Sequence, residues 1–217
     1  MSVIKTLIKA SFKNTIGIQY LKYIQEKFPT QSESELRSKR KLFYSQFLPE
    51  NGIYFDIGAN FGNRIEPLMG QKLKIIAIEP QLECVKYLKL RFKNSITIVN
   101  KGLGEKVEKK KMHIADNPVL SSFSKEWIDK TKESGRFKKY AWNKTRQIQM
   151  TTFDKVIEKF GKPDFAKIDV EGYEYNVLQG LTKPVKVISL EYTAPEGIDM
   201  MENLNTACRK GLTVMNS

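Results

Sequence analysis

The chain of 217 residues has only two cysteines, and no apolar run in it approaches the ~20 residues of a membrane span. Cys84 and Cys208 are too few and too far apart for a disulfide framework or a cysteine-based metal cluster. Lysines interrupt the apolar residues at the N-terminus too often for a signal-peptide core. We therefore expect a protein of the reducing cytoplasm without a transmembrane segment.

Acidic residues are scarce beside basic ones, with 24 Asp and Glu against 37 Lys and Arg, and the formal net charge is +13. Such an excess attracts anionic partners such as nucleic acids. The lysines are spread along the whole chain, with local concentrations at 109–111 and 136–139. Two interpretations therefore stay open, a basic face that binds a polyanion and a solvated lysine-rich surface.

Residues 1–50 are predicted to form a helical N-terminal extension. Apolar residues recur there at spacings of three and four with lysines opposite, which is typical of an amphipathic helix. Pro29 and the polar run 31–34 are predicted to end this helix before a second one over 35–47. We expect the extension to pack on the domain, and peripheral contact of a basic helix with an anionic membrane is the alternative.

From residue 51 to 217 the pattern predicts a single α/β domain. Short apolar runs alternate with amphipathic segments, which favours a mostly parallel, twisted sheet with helices on both faces. The strands are predicted near 53–57, 74–79, 95–100, 164–170 and 185–191. The helices are predicted near 63–69, 81–92, 153–160 and 173–181.

The segment 55–62, FDIGANFG, is the most informative part of the sequence. An apolar run meets Asp56, and Gly58 and Gly62 then let the backbone turn closely past a ligand, while Asn60 tolerates a left-handed backbone. The third glycine of the dinucleotide fingerprint G-x-G-x-x-G is missing. An acid before the loop suits a cationic cofactor such as S-adenosylmethionine, and Glu79 is well spaced to bind its ribose hydroxyls.

Four of the five predicted strands end in a carboxylate: Asp56, Glu79, Asp169 and Glu191. The carboxyl ends of parallel strands meet at one crevice, where ligands bind in open α/β sheets. We therefore expect the four acids to gather at the ligand site. Each of them could instead cap a following helix.

Residues 101–150 form a long connection with little apolar periodicity, which in a compact domain is functional or disordered. Its aromatic residues argue against disorder, and we expect an insertion that binds substrate or covers the site. Within it we expect an extra strand over 106–114 and a short helix around Trp127. Tyr140 and Trp142 are candidates to stack on a substrate, or to pack the insertion down. His113 is more typical of an exposed strand residue than of a base.

With FDIGANFG, Glu79-Pro80 and KIDVEGYEYNVLQG (167–180) in place, the chain resembles the FkbM-type S-adenosylmethionine-dependent methyltransferases. The resemblance covers roughly residues 50–195. It implies a Rossmann-like class I fold and O-methylation of a hydroxyl, commonly on a sugar, a glycan or a secondary metabolite. The family's sheet closes with a strand hairpin, whereas GLTVMNS looks like the start of a sixth strand, so we expect an incomplete hairpin whose free edge could pair in a homo-oligomer.

The resemblance also assigns cofactor-binding residues. It implies that Asp56, Gly58, Asn60 and Gly62 border the methionyl part and that Glu79 binds the ribose. Asn100 and Gly102, just past the third strand, would lie at the adenine edge.

An aliphatic hydroxyl needs a base to accept its proton during methyl transfer. Asp169 is the first candidate, with Glu171 and Glu191 as neighbours; Asp169 could instead bind the cofactor's ammonium. Asp169 and Glu191 would offer Mg²⁺ two oxygen ligands, but nothing fixes a third, and we expect no metal. An RNA ribose methyltransferase, or a catalytically silent module that binds a polyanion or a protein, is the alternative to a small-molecule or glycan enzyme.

Overall fold

The computed structural model describes residues 30–190 and the backbone of 214–216. The elements follow in the order α1 (Gln31–Ser45), β1 (Ile53–Ile57), a 3₁₀ helix (Glu66–Leu68), β2 (Lys74–Ile78), α2 (Leu82–Phe92), β3 (Thr97–Val99), β4 (Gly102–Leu103), β5 (Lys109–Ile114), a 3₁₀ helix (Pro118–Leu120), α3 (Lys125–Glu133), β6 (Lys144–Thr151), α4 (Phe153–Phe160), β7 (Phe165–Ile168), α5 (Glu174–Gln179), β8 (Ile188–Leu190) and β9 (Val214–Asn216). None of the helices in these residues is long and apolar enough to cross a membrane.

The main sheet has six strands in the order β3-β2-β1-β7-β8-β9, and every pair is parallel. Two neighbouring strands, β1 and β7, lie more than 100 positions apart in the sequence, so the chain reverses its direction of winding beside β1. In open α/β sheets this is the place where a crevice opens at the carboxyl ends of the strands. The predicted parallel α/β fold is confirmed, and the C-terminal segment predicted to begin a sixth strand forms β9.

Helices cover both faces of this sheet because its strands carry apolar side chains on both sides. One face packs against α4 and α5 through residues such as Phe153 and Val177. The other packs against α1 and α2, where the Tyr44 ring meets Phe165 edge-on with centroids 5.3 Å apart. Near-continuous burial of both faces is the expected state of a parallel sheet with crossover helices.

Residues 101–150 build a second, smaller sheet in the order β4-β6-β5. β5 and β6 are antiparallel, and Met112, Ile148 and Met150 turn inward to the main core while the alternate positions face solvent. The strand predicted over 106–114 and the helix around Trp127 are confirmed as β5 and α3. β6 was not predicted, because Ile148 and Met150 are the only apolar residues of this otherwise polar strand.

Two helix predictions in the first half of the chain are wrong, one in where the helix begins and one in its length. The polar run 31–34 does not separate two helices but forms the first turn of α1, because Thr30 and Glu33 make a capping box. The helix predicted over 63–69 is reduced to turns and a single 3₁₀ turn, since Pro67 lacks the N–H that a continuing helix needs. The helix predicted in residues 1–28 lies outside the described residues.

Candidate active site

A cleft of about 470 Å³, counted with the solvent at its mouth, opens at the carboxyl ends of β1, β2 and β7. We call the side formed by Gly58, Asn60 and Glu79 the sheet wall. The opposite side, which we call the insertion wall, is formed by Met112, Val119, Ser121 and Phe123. The floor between the two walls includes Asp169 and Glu171.

The loop after β1 passes very close to the end of β7. Gly58 has a φ of +81°, and a Cβ atom at this position would overlap the carbonyl oxygen of Asp169. Asn60 also has a left-handed backbone, with a φ of 46°, a conformation that asparagine tolerates better than most residues. Its side-chain Oδ1 is buried and has no hydrogen-bond partner among the described residues. The loop therefore contains a buried, unsatisfied acceptor on a residue that lines the cleft.

Glu79 directly follows β2 and fixes the shape of the sheet wall. Its Oε2 accepts the Asn60 N–H at 2.8 Å, and its Oε1 accepts the Gln81 N–H at 2.8 Å. The side chain is almost fully buried, and this burial raises the pKa of Glu79 to about 7 despite the two backbone donors. Asn100 braces the same turn, because its Nδ2 donates to the carbonyls of Glu79 and Pro80 at 2.9 and 3.0 Å.

Asp169 directly follows β7 and lies at the floor of the cleft with about a quarter of its side chain exposed. Its Oδ2 accepts a hydrogen bond from the buried ammonium of Lys167, at 2.6 Å. The ion pair fixes one carboxylate oxygen at the base of the cleft. A charged residue inside an apolar strand is the sequence signal that could have found Lys167.

The backbone after Asp169 is held in an unusual turn. Glu171 has a φ of +53°, and its carbonyl accepts the Ser122 hydroxyl at 2.6 Å. Glu174 accepts the N–H of Val170 at 2.9 Å through Oε1. Glu174 is buried, which raises its pKa to about 7. Glu174 thereby holds this turn in place.

Side-chain packing between secondary-structure elements holds the insertion wall. A Cβ on Gly172 would overlap the Trp127 ring, so α3 rests directly on the turn after β7. The Phe123 ring packs on Tyr173 with centroids 5.3 Å apart. Ser122 is fully buried and pairs with His113 in an antiparallel bridge, which joins β5 to the same segment. The insertion is thereby attached to the floor of the cleft.

The structure brings six of the predicted site residues to the cleft and places five others around it. Those lining it are Gly58, Asn60, Glu79, Gly102, Asp169 and Glu171. Asp56, Gly62, Asn100, Tyr140 and Trp142 are absent from the lining that the described residues form, and Glu191 lies outside those residues. The roles assigned to all twelve stay predictions.

The five outlying residues have other contacts. Asp56 is buried inside β1, and a Cβ on Gly62 would overlap the Phe92 ring of α2. Tyr140 and Trp142 pack in a small cluster with Trp127, and the Trp142 indole donates to the Leu120 carbonyl at 2.7 Å. These contacts match the packing alternative for the two aromatic residues.

Sequence reasoning missed Gln81, Lys101, Ser121 and Phe123, which also line the cleft. Gln81 directly follows the Glu79-Pro80 motif, which could have found it, whereas Ser121 and Phe123 lie in a loop without a local motif and depend on the folded insertion. Within the described part of the chain, three or more His, Cys, Asp or Glu side chains nowhere gather into a group that could hold a metal ion.

The model of the methyltransferase FkbM domain family matches residues 56–209, which include the loop after β1, Glu79 and the turn after β7. The chain belongs to the FkbM methyltransferase family. The match begins at the acid of β1 and therefore covers the sheet wall, the floor and the insertion wall of the cleft. No curated protein matches the chain in sequence. Membership makes this chain a methyltransferase, and its fold is the α/β fold that the family resemblance implied.

Proposed function

We propose that this FkbM methyltransferase binds S-adenosylmethionine in the cleft and O-methylates a hydroxyl of a sugar, a glycan or a secondary metabolite. The observation that carries the proposal is the position of Glu79, a buried carboxylate at the end of β2 that faces the cleft across the loop after β1. This is where a doubly wound fold binds the ribose of a nucleotide-like cofactor.

The hydrogen-bonding capacity of the sheet wall fits this cofactor. An ionised carboxylate has about four lone-pair sites, and the amides of Asn60 and Gln81 use one on each oxygen of Glu79. The remaining sites suit the paired hydroxyls of a ribose. Asn60 Oδ1, buried without a partner among the described residues, suits a donor group of the same ligand.

Each wall has a different part in the reaction. S-adenosylmethionine supplies, when bound, a methyl group activated by its sulfonium. Glu79, Asn60 and Gly58 hold and orient that cofactor, and the buried β1 and β2 strands beneath them keep water away from one side of the cleft. Orientation of this kind supplies roughly 7–11 kcal/mol of a transfer barrier.

The acceptor is assigned to the insertion wall and the floor. Met112, Val119 and Phe123 offer apolar surface, and Ser121 and Asp169 offer polar groups beside it. A sugar has the same mixture of apolar ring faces and hydroxyls. Asp169 accepts the acceptor's proton through Oδ1, because Oδ2 is engaged by Lys167.

Calorimetric titration with S-adenosylmethionine tests the cofactor assignment. Glu79→Ala removes the ribose acceptor and leaves the Asn60 and Gln81 amides without their acceptor, and we expect a loss of affinity of about 100-fold or more. Glu83→Ala is the matched control, since Glu83 lies four residues later on an exposed face and pairs with Arg146. Failure of the wild-type protein to bind the cofactor would refute the proposal.

The acceptor class is tested by incubating the protein and cofactor with a glycan panel and an RNA panel. We expect a mass gain of one methylene on a glycan or small hydroxylated metabolite. RNA is the second candidate, because residues 101–150 hold 13 Lys and Arg against 6 Asp and Glu. Methylation of RNA would select that candidate, and salt-sensitive RNA binding without transfer would indicate a silent module.

A further inference from the structure

A buried lysine lies in the middle of the main sheet. Lys167 is the third residue of β7, and its side chain is 2% exposed. The register places Asp56 of β1 and Ser189 of β8 directly opposite it on the two neighbouring strands, and both are also buried. An ammonium in this environment is costly unless anionic groups surround it.

Two carboxylates act on this ammonium. Lys167 Nζ lies 2.6 Å from Asp169 Oδ2. Burial raises the pKa of Asp56 to about 6, with Lys167 lowering it and Asp169 raising it, so the three groups are close enough to influence one another. Asp56 Oδ2 has no hydrogen-bond partner among the described residues. The sheet thus contains one buried cation with an acid on either side.

Only one of the three groups reaches the cleft. Asp169 lines it and is 28% exposed, whereas Asp56 and Lys167 are buried behind it. Asp169 is therefore the one of the three that can contact a bound molecule, while Asp56 acts on the site through Glu79, whose pKa is raised first by burial and further by Asp56.

We propose that Lys167 is a positioning residue whose buried ammonium fixes the Asp169 carboxylate at the floor of the cleft. The assignment rests on the proposed function, in which Asp169 accepts the proton of the acceptor hydroxyl, and it adds that the same carboxylate faces the cationic end of the cofactor. Asp56 is the second carboxylate beside the ammonium. Replacing Lys167 leaves two acids that compete for one proton.

Other titratable groups also face these acids. Arg64, from the loop after β1, lowers the pKa of Asp56, and Asp169 raises the pKa of the buried Glu174 of α5. The phenols of Tyr54 and Tyr44 have raised pKa values, to which Asp56 contributes. All of these groups are kept in the variants below, so differences between variants report on Lys167.

The first test is the pH dependence of cofactor binding. Calorimetry with S-adenosylmethionine at about pH 8 and about pH 6 compares wild type with Lys167→Met, and Ser189→Ala is the control from the same buried row. We expect the ratio of variant to wild-type dissociation constants to grow as the pH falls, by up to about tenfold per pH unit. Ser189→Ala should keep a constant ratio. A Lys167→Met ratio that is the same at both pH values would overturn the proposal.

The second test needs no ligand and also covers a variant that folds poorly. Thermal unfolding is measured for Lys167→Met, Asp169→Asn and the double variant. We expect the double variant to have a higher melting temperature than Lys167→Met, because it leaves one acid without the ammonium, Asp56, instead of two. A double variant that loses the sum of the two single effects would show that the pair is not coupled, and would overturn the assignment.

The two tests separate failure of this proposal from failure of the proposed function. A wild-type protein that does not bind S-adenosylmethionine refutes the function, while the unfolding comparison still decides whether Lys167 fixes Asp169. Cofactor binding with uncoupled stabilities refutes only the role of Lys167.

Discussion

The sheet wall of the cleft is shaped by backbone hydrogen bonds to a buried carboxylate, whereas the insertion wall is shaped by side chains that pack between separate elements. Glu79 binds two amides of its own wall at 2.8 Å, and the loop after β1 leaves no room for a Cβ on Gly58. On the other side, Trp127 rests on Gly172 and Phe123 on Tyr173. The wall assigned to the cofactor is therefore shaped by main-chain contacts between segments that each carry a short sequence motif, and the wall assigned to the acceptor by side-chain packing without such motifs.

Gly58→Ala is expected to destabilise the sheet wall more than any other substitution considered for it. The new Cβ would overlap a backbone oxygen that cannot rotate away, and the left-handed φ adds a further cost of about 1 kcal/mol. We expect a loss of about 3 kcal/mol or more in the free energy of unfolding, measured with urea. S-adenosylmethionine binding should be lost with it.

Gly70→Ala is the matched control for this change. Gly70 has the same φ of +81°, but a Cβ there would meet no atom within 4 Å. We expect Gly70→Ala to lower the free energy of unfolding by about 1 kcal/mol, which is the cost of the left-handed φ alone. Equal losses for the two variants would contradict the close approach of the loop to the end of β7.

This difference between the walls also explains how much the sequence could predict. β1, β2 and β7 were predictable as short apolar runs, and so were Glu79 and Asp169, which directly follow β2 and β7; Asp56, predicted to end its strand, lies inside β1 instead. β6 was not, since Ile148 and Met150 are buried only against a core supplied by distant strands. Ser121 and Phe123 reach the cleft for the same reason, through contacts that no local spacing encodes.

The buried acids Glu79 and Glu174 are expected to make the stability of the protein depend on pH. Glu79 and Glu174 have pKa values raised to about 7 from an ordinary value of 4.5, because of burial. The folded protein therefore retains protons that the unfolded chain has released. Their contribution to stability is complete below about pH 4.5 and is lost as the pH rises through about 7.

Urea unfolding of wild type and Glu79→Gln at about pH 5 and about pH 7 measures this effect. We expect the fall in unfolding free energy between the two pH values to be smaller in the variant, by on the order of 1 kcal/mol. His113 contributes with the opposite sign, since burial and nearby lysines lower its pKa, but it does so in both proteins. An unchanged fall would show that Glu79 does not keep its proton in the folded state.

The smallest expected effect is that of Ser122→Ala, a substitution beside the insertion wall. Ser122→Ala removes the buried hydroxyl that donates to the Glu171 carbonyl at 2.6 Å and leaves that carbonyl without this donor. We expect a loss of about 1 kcal/mol in unfolding free energy. Ser134→Ala is the matched control, because its hydroxyl also donates to a backbone carbonyl, that of Thr131 at 2.9 Å, but in solvent. That variant should lose less than about 0.5 kcal/mol.

Cofactor affinity separates the two walls in the same variant. Ser122 lies on the insertion side, so Ser122→Ala should bind S-adenosylmethionine within about threefold of wild type, a change of less than 1 kcal/mol. If the turn at Glu171 also supports the sheet wall, affinity will fall as far as it does in Glu79→Ala. The independence of the two walls would then be wrong, and the insertion would have to be described as part of the cofactor site.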